Sequence, residues 1–370
     1  VREIMSEFTQ NHLSQDQYWM QRAIELARLG QYSTKPNPNV GCVLVKNDQL
    51  IGEGFHPKAG QPHAEVFALR QAGDNAKDAT AYVTLEPCAH YGRTPPCAEA
   101  LVKAQVRKVV VACSDPNPLV AGKGVQILRD AGIEVAIGVC EALAKTLNSG
   151  FLKAMSTGLP YVRLKIASSL DGRTAMASGE SKWITGAAAR QDVQHWRAVS
   201  GAVITGIQTV LADDCELNVR SLDNIDIETV VQPKRIVLDR QGQLPLVAKI
   251  LQNPETVMVM TPFRQELADL GVIQLSPQPL NQLLQALAQQ YQIYDVLVEA
   301  GATLSTAFLQ QGLVDEMISY VAPTLLGQSA RAMFNAEFSQ MAEQLRFELV
   351  DITQLGQDIR LRLLPIQEMI

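Results

Sequence analysis

Three short stretches constrain this chain more than anything else in it: His63-Ala64-Glu65, Pro87-Cys88 and Pro96-Cys97. One imidazole and two thiolates neutralise a zinc ion and leave its fourth position open to water. Zinc lowers the pKa of such a water toward ~7, so hydroxide is available at neutral pH. A glutamate two residues after the histidine, at a helix start, can face the metal without binding it and carry the water's proton. A purely structural zinc would want four protein ligands. A lone His-x-Glu is common and two cysteines can be buried bystanders, but both Pro-Cys steps in a strand–loop–helix context favour the catalytic reading.

The order H-x-E…P-C-x-x-C is the signature of zinc nucleobase deaminases, and Glu65 would then pass its proton to a ring nitrogen and the departing ammonia. The second half departs from that signature, because Ala89–Pro96 separate Cys88 from Cys97. The Pro-Pro-Cys step resumes where a helix begins, and a helix amino end favours a thiolate. The spacer therefore reads as an insertion that keeps both thiols at the metal. His90, inside it, is the rival ligand. Cys42, Cys113 and Cys140 read as core thiols in apolar strands, and Cys215 is unassigned. Asn37, in Pro36-Asn37-Pro38-Asn39, reads either as part of a rigid turn or as an amide that reads a ring edge. Asp115-Pro116-Asn117-Pro118 follows a strand end, where α/β ligands gather. Arg93 and Lys123 are phosphate contacts or solvated surface cations.

Ser14 and Gln17 resemble a capping box, followed by apolar residues at helical spacing up to Gly30. Residues 40–55 read as two strands joined at Asn47-Asp48, and a helix is expected from His63 to about Ala72. Strands near 81–85, 109–112 and in IEVAIGV alternate with helices starting near Pro96 and after Gly122, an α/β sandwich. The segment Asn148–Pro160 has no clear strand pattern and marks a domain boundary, dividing the chain into 14–150 and 151–370. A second α/β pattern follows, with strands at YVRLKIASS, GAVITG, 235–239, 256–260, 294–301 and 317–323. The Gln-rich stretch 278–292 carries Leu and Ala at helical spacing and reads as a helix.

A length of 370 residues suits two domains, and 47% hydrophobic residues suffice for ordinary cores. The net charge of −6 argues against a general nucleic-acid binder, which needs a broad basic face. No apolar run approaches the roughly 20 residues that span a bilayer. The opening VREIMSEFTQNHLSQ begins on an unusual Val1, lacks the apolar stretch of a signal peptide, and predicts a flexible terminus over 1–13. Cysteines without a secreted-style framework suit a reducing cytoplasm.

In the second half, Glu299-Ala300-Gly301 leads from an apolar strand into a helix, and backbone N–H groups there can hold a phosphate. It is not a G-x-G-x-x-G fingerprint. Arg197 and Arg220 suit a phosphate through the bidentate guanidinium fork. Lys165 and Glu299 are plausible polar groups near a reacting carbon.

Taken together, His63-Ala64-Glu65, TLEPCAHYGRTPPC, DPNP, VAGKG, KIASSLDGRTAMASGESKWIT, VLADD and VEAGATL resemble the bifunctional riboflavin biosynthesis deaminase/reductase family, from about Tyr18 to the end. The long spacer between Cys88 and Cys97 is usual there. The resemblance implies a cytidine-deaminase-like three-layer α/β/α domain followed by a dihydrofolate-reductase-like α/β domain. It implies hydrolytic deamination of a phosphoribosylated diaminopyrimidinone with one Zn2+, then reduction of its ribosyl group to ribityl by NADPH. His63, Cys88 and Cys97 would hold the metal. Ala167, Trp183, Thr209, Asp213 and Gly301, Ala302, Thr303, Leu304, Ser305, Thr306, Ala307 would line the NADP site. Ser181, Arg197, Leu217, Arg220 and Glu299 would hold the substrate, with Lys165 nearby and Asn37 in the first domain. Asp214 reads as helix-end solvation only. The expected partners are that small substrate and further copies of the chain, not nucleic acid or membrane. Rival readings are a tRNA or nucleoside deaminase with an unrelated second domain, a zinc-stabilised binding protein, and an enzyme with one working half. The acidic pI and the reductase-like half disfavour the first, and no key residue of either half is missing, as the other two would require.

Overall fold

The computed structural model describes residues 14–89, 91, 95–118 and 120–366. The flexible terminus expected over 1–13, the rival ligand His90 and the cation Arg93 lie outside the described residues. The chain divides into two compact units, residues 1–156 and 157–370.

The first unit opens with helix α1 (Gln15–Arg28), and both hydrogen bonds of the Ser14–Gln17 capping box form. Then follow β1 (Gly41–Lys46), β2 (Gln49–Phe55), α2 (Ala64–Ala72), β3 (Thr80–Val83), α3 (Cys97–Lys103), β4 (Lys108–Val111), α4 (Lys123–Asp130), β5 (Glu134–Ile137), α5 (Glu141–Leu147) and α6 (Ser149–Thr157). Asn47 and Asp48 both take positive φ, as a tight hairpin turn requires. The sheet order is β2-β1-β3-β4-β5, with β3, β4 and β5 parallel. Alternation along β1 sends Cys42 and Leu44 to one face, against α2, α3 and Leu128 of α4. Val43 and Val45 go to the other face, against Met20, Ala23 and Ile24 of α1 and Ala144 of α5. The result is three layers. Gly54 permits the close approach of α2: a Cβ there would lie 2.7 Å from the Ala64 carbonyl oxygen.

Two sequence readings differ from the structure. Cys140 is not a strand thiol: β5 ends at Ile137, and Cys140 sits half-exposed in the left-handed region (φ 58°) at the start of α5. The strand stops because Gly138, with φ 99°, turns the chain out of the sheet. The division expected after residue 150 falls after residue 156, because the segment carries helix α6, whose Phe151 and Leu152 pack on the first unit's core.

The second unit contains β6 (Tyr161–Ser169), β7 (Arg173–Ala175), α7 (Ala187–Val199), β8 (Ala202–Gly206), α8 (Ile207–Asp213), β9 (Lys234–Leu238), β10 (Val257–Met260), α9 (Gln265–Asp269), β11 (Ile273–Leu275), α10 (Leu280–Gln289), β12 (Asp295–Glu299), α11 (Ala302–Gln310), β13 (Glu316–Ala322), β14 (Arg331–Ala332), β15 (Phe347–Leu355) and β16 (Asp358–Pro365). Its large sheet runs β11-β10-β9-β8-β12-β6-β13-β16-β15. The strands are parallel from β11 to β13, and the closing hairpin of β15 and β16 is antiparallel. Val162, Leu164 and Ile166 of β6 join one core with α10 and α11. The alternate residues Arg163, Lys165 and Ala167 face the side covered by α7. The Gln-rich stretch is the amphipathic helix α10, with Leu283, Leu284 and Leu287 buried. Among the described residues no helix is long and apolar enough to cross a membrane.

Candidate functional site

In the first unit, α2 begins at Ala64 with His63 in extended backbone as its cap, and α3 begins at Cys97. Cys88 lies on the loop after β3. The His63 Nδ1 is 3.5 Å from Cys88 Sγ and 3.3 Å from Cys97 Sγ. All three ligand atoms lie within 4.8 Å of one another, the one such cluster among the described residues. The Cys97 backbone N–H donates to Cys88 Sγ at 3.3 Å. The two thiols share a hydrogen bond, which together with His63 draws Cys88 down to about 4. The same bond and burial push Cys97 up. A zinc ion would ionise both, since a coordinating thiol is deprotonated outright. The donor set, one imidazole and two sulfurs with no fourth ligand beside them among the described residues, fits a zinc with an open position.

Glu65, in the first turn of α2, is 3% exposed, and its Oε2 has no hydrogen-bond partner among the described residues. An unpaired buried carboxylate oxygen is costly unless something outside the protein completes it. Burial raises the Glu65 carboxyl, against a smaller opposing pull from His63. Asn37 is linked to this cluster through His56, whose Nε2 lies 3.0 Å from Asn37 Nδ2 and whose ring meets His63 edge-on with centroids 5.3 Å apart. Asp115 and Asn117 form a tight turn at the end of β4, the Asn117 N–H donating to Asp115 Oδ1 at 2.8 Å. Lys123 is exposed and donates to the Pro118 carbonyl at 3.1 Å.

In the second unit a cavity of about 1650 Å³ opens over the carboxyl ends of the parallel strands, where α/β folds bind ligands. Lys165, Ala167, Ser181, Trp183, Arg197, Thr209, Asp213, Leu217, Arg220, Glu299, Gly301, Ala302, Thr303, Leu304 and Ala307 line it. Ser305 and Thr306 do not, since both are buried in α11: the Ser305 hydroxyl donates to the Ala300 carbonyl and the Thr306 hydroxyl accepts from the Asn335 N–H. Trp183 is 69% exposed and lies over the Arg190 guanidinium at 4.5 Å. Asp213 accepts from the Ser181 hydroxyl at 3.4 Å. Asp214 ties the end of α8 to Lys249, at 2.9 Å to its N–H.

A buried charge cluster sits on the cavity floor. Glu299 accepts from Arg197 Nε at 2.6 Å and Nη2 at 3.0 Å, and lies 3.6 Å from Lys165 Nζ. Burial would raise the Glu299 carboxyl, but Arg197 and then Lys165 outweigh it and hold it at about 2. Burial in turn lowers Lys165. Arg197 also donates Nη1 to the Asn218 carbonyl at 3.2 Å, so its fork is committed within the protein. Arg220 is exposed, and its backbone N–H donates to Gln194 at 2.9 Å.

Arg240, Tyr320, Arg331 and the Pro277–Leu280 turn also line the cavity and are absent from the sequence expectations. Arg240 was within reach of a sequence argument, because it follows directly on the strand RIVLD, at whose carboxyl end ligands gather. Arg331 arrives through β14, a two-residue strand with no sequence signal.

A family model for the RibD C-terminal domain matches residues 160–361, and one for the cytidine and deoxycytidylate deaminase zinc-binding region matches residues 13–113. The riboflavin biosynthesis protein RibD of Haemophilus influenzae is 49% identical over 365 residues, spanning 95% of this chain and 98% of that one. The crystal structure of Acinetobacter baumannii RibD is similar at a TM-score of 0.94 and 83% identity, covering 95% of this chain and 99% of that one. That of the diaminohydroxyphosphoribosylaminopyrimidine deaminase/5-amino-6-(5-phosphoribosylamino)uracil reductase of Thermotoga maritima gives 0.85 at 34% identity, again covering 95% and 99%. The chain therefore belongs to the RibD family, and it is a bifunctional enzyme of riboflavin biosynthesis, a zinc-dependent deaminase joined to an NADPH-dependent reductase.

Proposed function

We propose that the first unit hydrolyses the ring amino group of 2,5-diamino-6-(5-phosphoribosylamino)pyrimidin-4-one, with His63, Cys88 and Cys97 as zinc ligands and Glu65 as proton carrier. The observation that carries this is the convergence of the three ligand atoms within 4.8 Å beside the one unpaired oxygen of buried Glu65. Zinc, when bound there, supplies a water acidified toward a pKa of ~7. Glu65 takes the proton of the attacking water, gives it to the ring nitrogen, and takes the second to the amine that leaves as ammonia. Burial, which raises its pKa, suits a group that must both accept and return protons. Asn37, oriented by His56, reads the ring edge.

The second unit reduces the ribosyl group of the deaminated product, 5-amino-6-(5-phosphoribosylamino)uracil, to ribityl. The amino end of α11, at Gly301–Leu304, takes the pyrophosphate of NADPH. Ala167 leaves room for the nicotinamide, and Arg240, exposed at the end of β9, suits the 2′-phosphate on the adenosine ribose of NADPH. Lys165 and Glu299 flank the reacting carbon. Because Arg197 is spent on Glu299, the substrate phosphate falls to Arg220. The decisive experiment is a product assay on the diaminopyrimidinone phosphate: ammonia without NADPH, and the ribityl product only with it. Absence of ammonia release from the zinc-loaded protein would refute the reading.

Two variants test the residue roles. Cys97→Ser should leave much less than one zinc per chain by metal analysis and lose deamination; full zinc with full activity removes it from the ligand set. Arg220→Ala should weaken binding of the deaminated substrate roughly 10–150-fold, the worth of a charge-assisted phosphate contact. Ammonia release should be unchanged in that variant. Loss of both activities in a folded protein would point to one shared site.

We infer a reducing cytoplasm as its compartment, which six cysteines without a disulfide suit. A homo-oligomer is supported by the edge strand β15, which together with β16 exposes Leu349 (49%), Ile352 (60%) and Ile359 (43%). An exposed apolar edge is a template for pairing with another chain. Ile352→Lys should lower the mass measured by light scattering to that of one chain, and an unchanged mass puts the interface elsewhere.

A further inference from the structure

Glu86 precedes Pro87-Cys88 and is 4% exposed, yet neither reaction uses it. Its Oε2 accepts from the backbone N–H of Gly122 at 3.1 Å and of Asp115 at 3.4 Å, and its Oε1 from that of Val125 at 3.2 Å. Its own N–H donates to the Cys113 carbonyl at 3.0 Å. One carboxylate thus joins the Cys88 loop, the Asp115–Asn117 turn and the amino end of α4. The joint is tight from the helix side too: a Cβ on Gly124 would come within 2.0 Å of the Pro87 carbonyl oxygen. On its other side Cys88 is gripped by α3, its carbonyl accepting from the Ala98 N–H at 3.2 Å and its sulfur from the Cys97 N–H at 3.3 Å.

We propose that Glu86 is a positioning residue for deamination, holding Cys88 and the Asp115–Asn117 turn in register by accepting three backbone N–H groups with both carboxylate oxygens. The inference rests on Cys88 being a zinc ligand. A metal ligand is only as well placed as the groups that orient it, and removing such a group typically costs about 10–100-fold in metal affinity or activity. A simple helix cap would cost stability and nothing else.

Glu86→Gln separates the two. The side chain keeps its size, but either amide orientation sets an NH2 against an N–H donor, because both oxygens accept in the parent. The full-length variant, at a temperature well below its melting transition, should give up zinc to a competing chelator about tenfold to a hundredfold more readily. Its kcat for ammonia release should fall by a similar factor, while NADPH oxidation with the deaminated substrate stays within about twofold of the parent. Glu86→Asp keeps both acceptor oxygens on a shorter stem and should recover part of both losses; it is read alone if the glutamine variant does not fold. Cys88→Ser, run in parallel, separates the premises: if it keeps full zinc, the ligand assignment fails. If Cys88→Ser loses zinc while the Glu86 variants match the parent in zinc retention and kcat, the ligand assignment stands and the role given to Glu86 is overturned.

Discussion

Glu65→Gln should lower ammonia release by at least about 10²-fold, toward 10⁴-fold, because one general acid–base group contributes that range and here a single group serves several transfers. The zinc content should stay that of the parent, since Glu65 lies outside the three-atom cluster. The substitution should cost little stability. Glu65 is 3% exposed with one oxygen unpartnered, so a neutral amide of the same shape relieves a desolvated charge. The variant should still oxidise NADPH when supplied with the deaminated substrate, because the described residues that line the reductase cavity, from Lys165 to Asn335, belong to the second unit. Near-normal ammonia release by a zinc-loaded variant would mean that another group carries the proton.

Glu299→Ala should have the largest effect on the second unit. It leaves Arg197 and Lys165, with side chains 10% and 19% exposed, without their counter-charge. Breaking a buried pair in this way costs about 3–5 kcal/mol. For a unit of this size that lowers Tm by roughly 6–20 °C. Reduction should be lost, while the first unit keeps its ammonia release at temperatures where it is folded. The pH dependence has a definite sign. The Glu299 carboxyl is held at about 2 against an ordinary 4.5, so its contribution is fully present above pH 4.5 and is lost as pH falls toward 2. The alanine variant should lack that part of the acid slope. Differential scanning calorimetry between pH 2 and 5 checks both statements, and a variant melting within about 1 °C of the parent would show that Arg197 and Lys165 need no counter-charge.

Much of this protein was legible in its residues because local chemistry and long-range packing agree. His63-Ala64-Glu65 and the two Pro-Cys steps name their own chemistry, and the eight-residue spacer did not hide it. The buried strands of both sheets read correctly because apolar runs such as VITG and VMVM need both faces covered. What failed to show was surface structure. The closing hairpin of β15 and β16 is absent from the sequence expectations, although Ile359-Arg360-Leu361-Arg362-Leu363 alternates at strand period, because its turn does not separate two clearly apolar runs and both strands are largely exposed or half-exposed. Cys140 read as a strand thiol because its neighbours are apolar, whereas the left-handed turn at Gly138 decides its place.

The sequence by itself determined the metal chemistry, the two α/β units and the order in which they occur, because those follow from residue type, periodicity and motif. Only the tertiary structure decided which side chains spend their hydrogen bonds on each other. Arg197 and Arg220 are alike in sequence, both guanidinium groups near a suspected phosphate. Alternation along β6 and β12 puts Lys165 and Glu299 beneath α7, and Glu299 there captures Arg197 and leaves Arg220 facing the cavity. Glu86 likewise gives no sign in the sequence of the three N–H groups that it gathers, because they belong to segments 29 to 39 residues away that only the fold brings to one carboxylate.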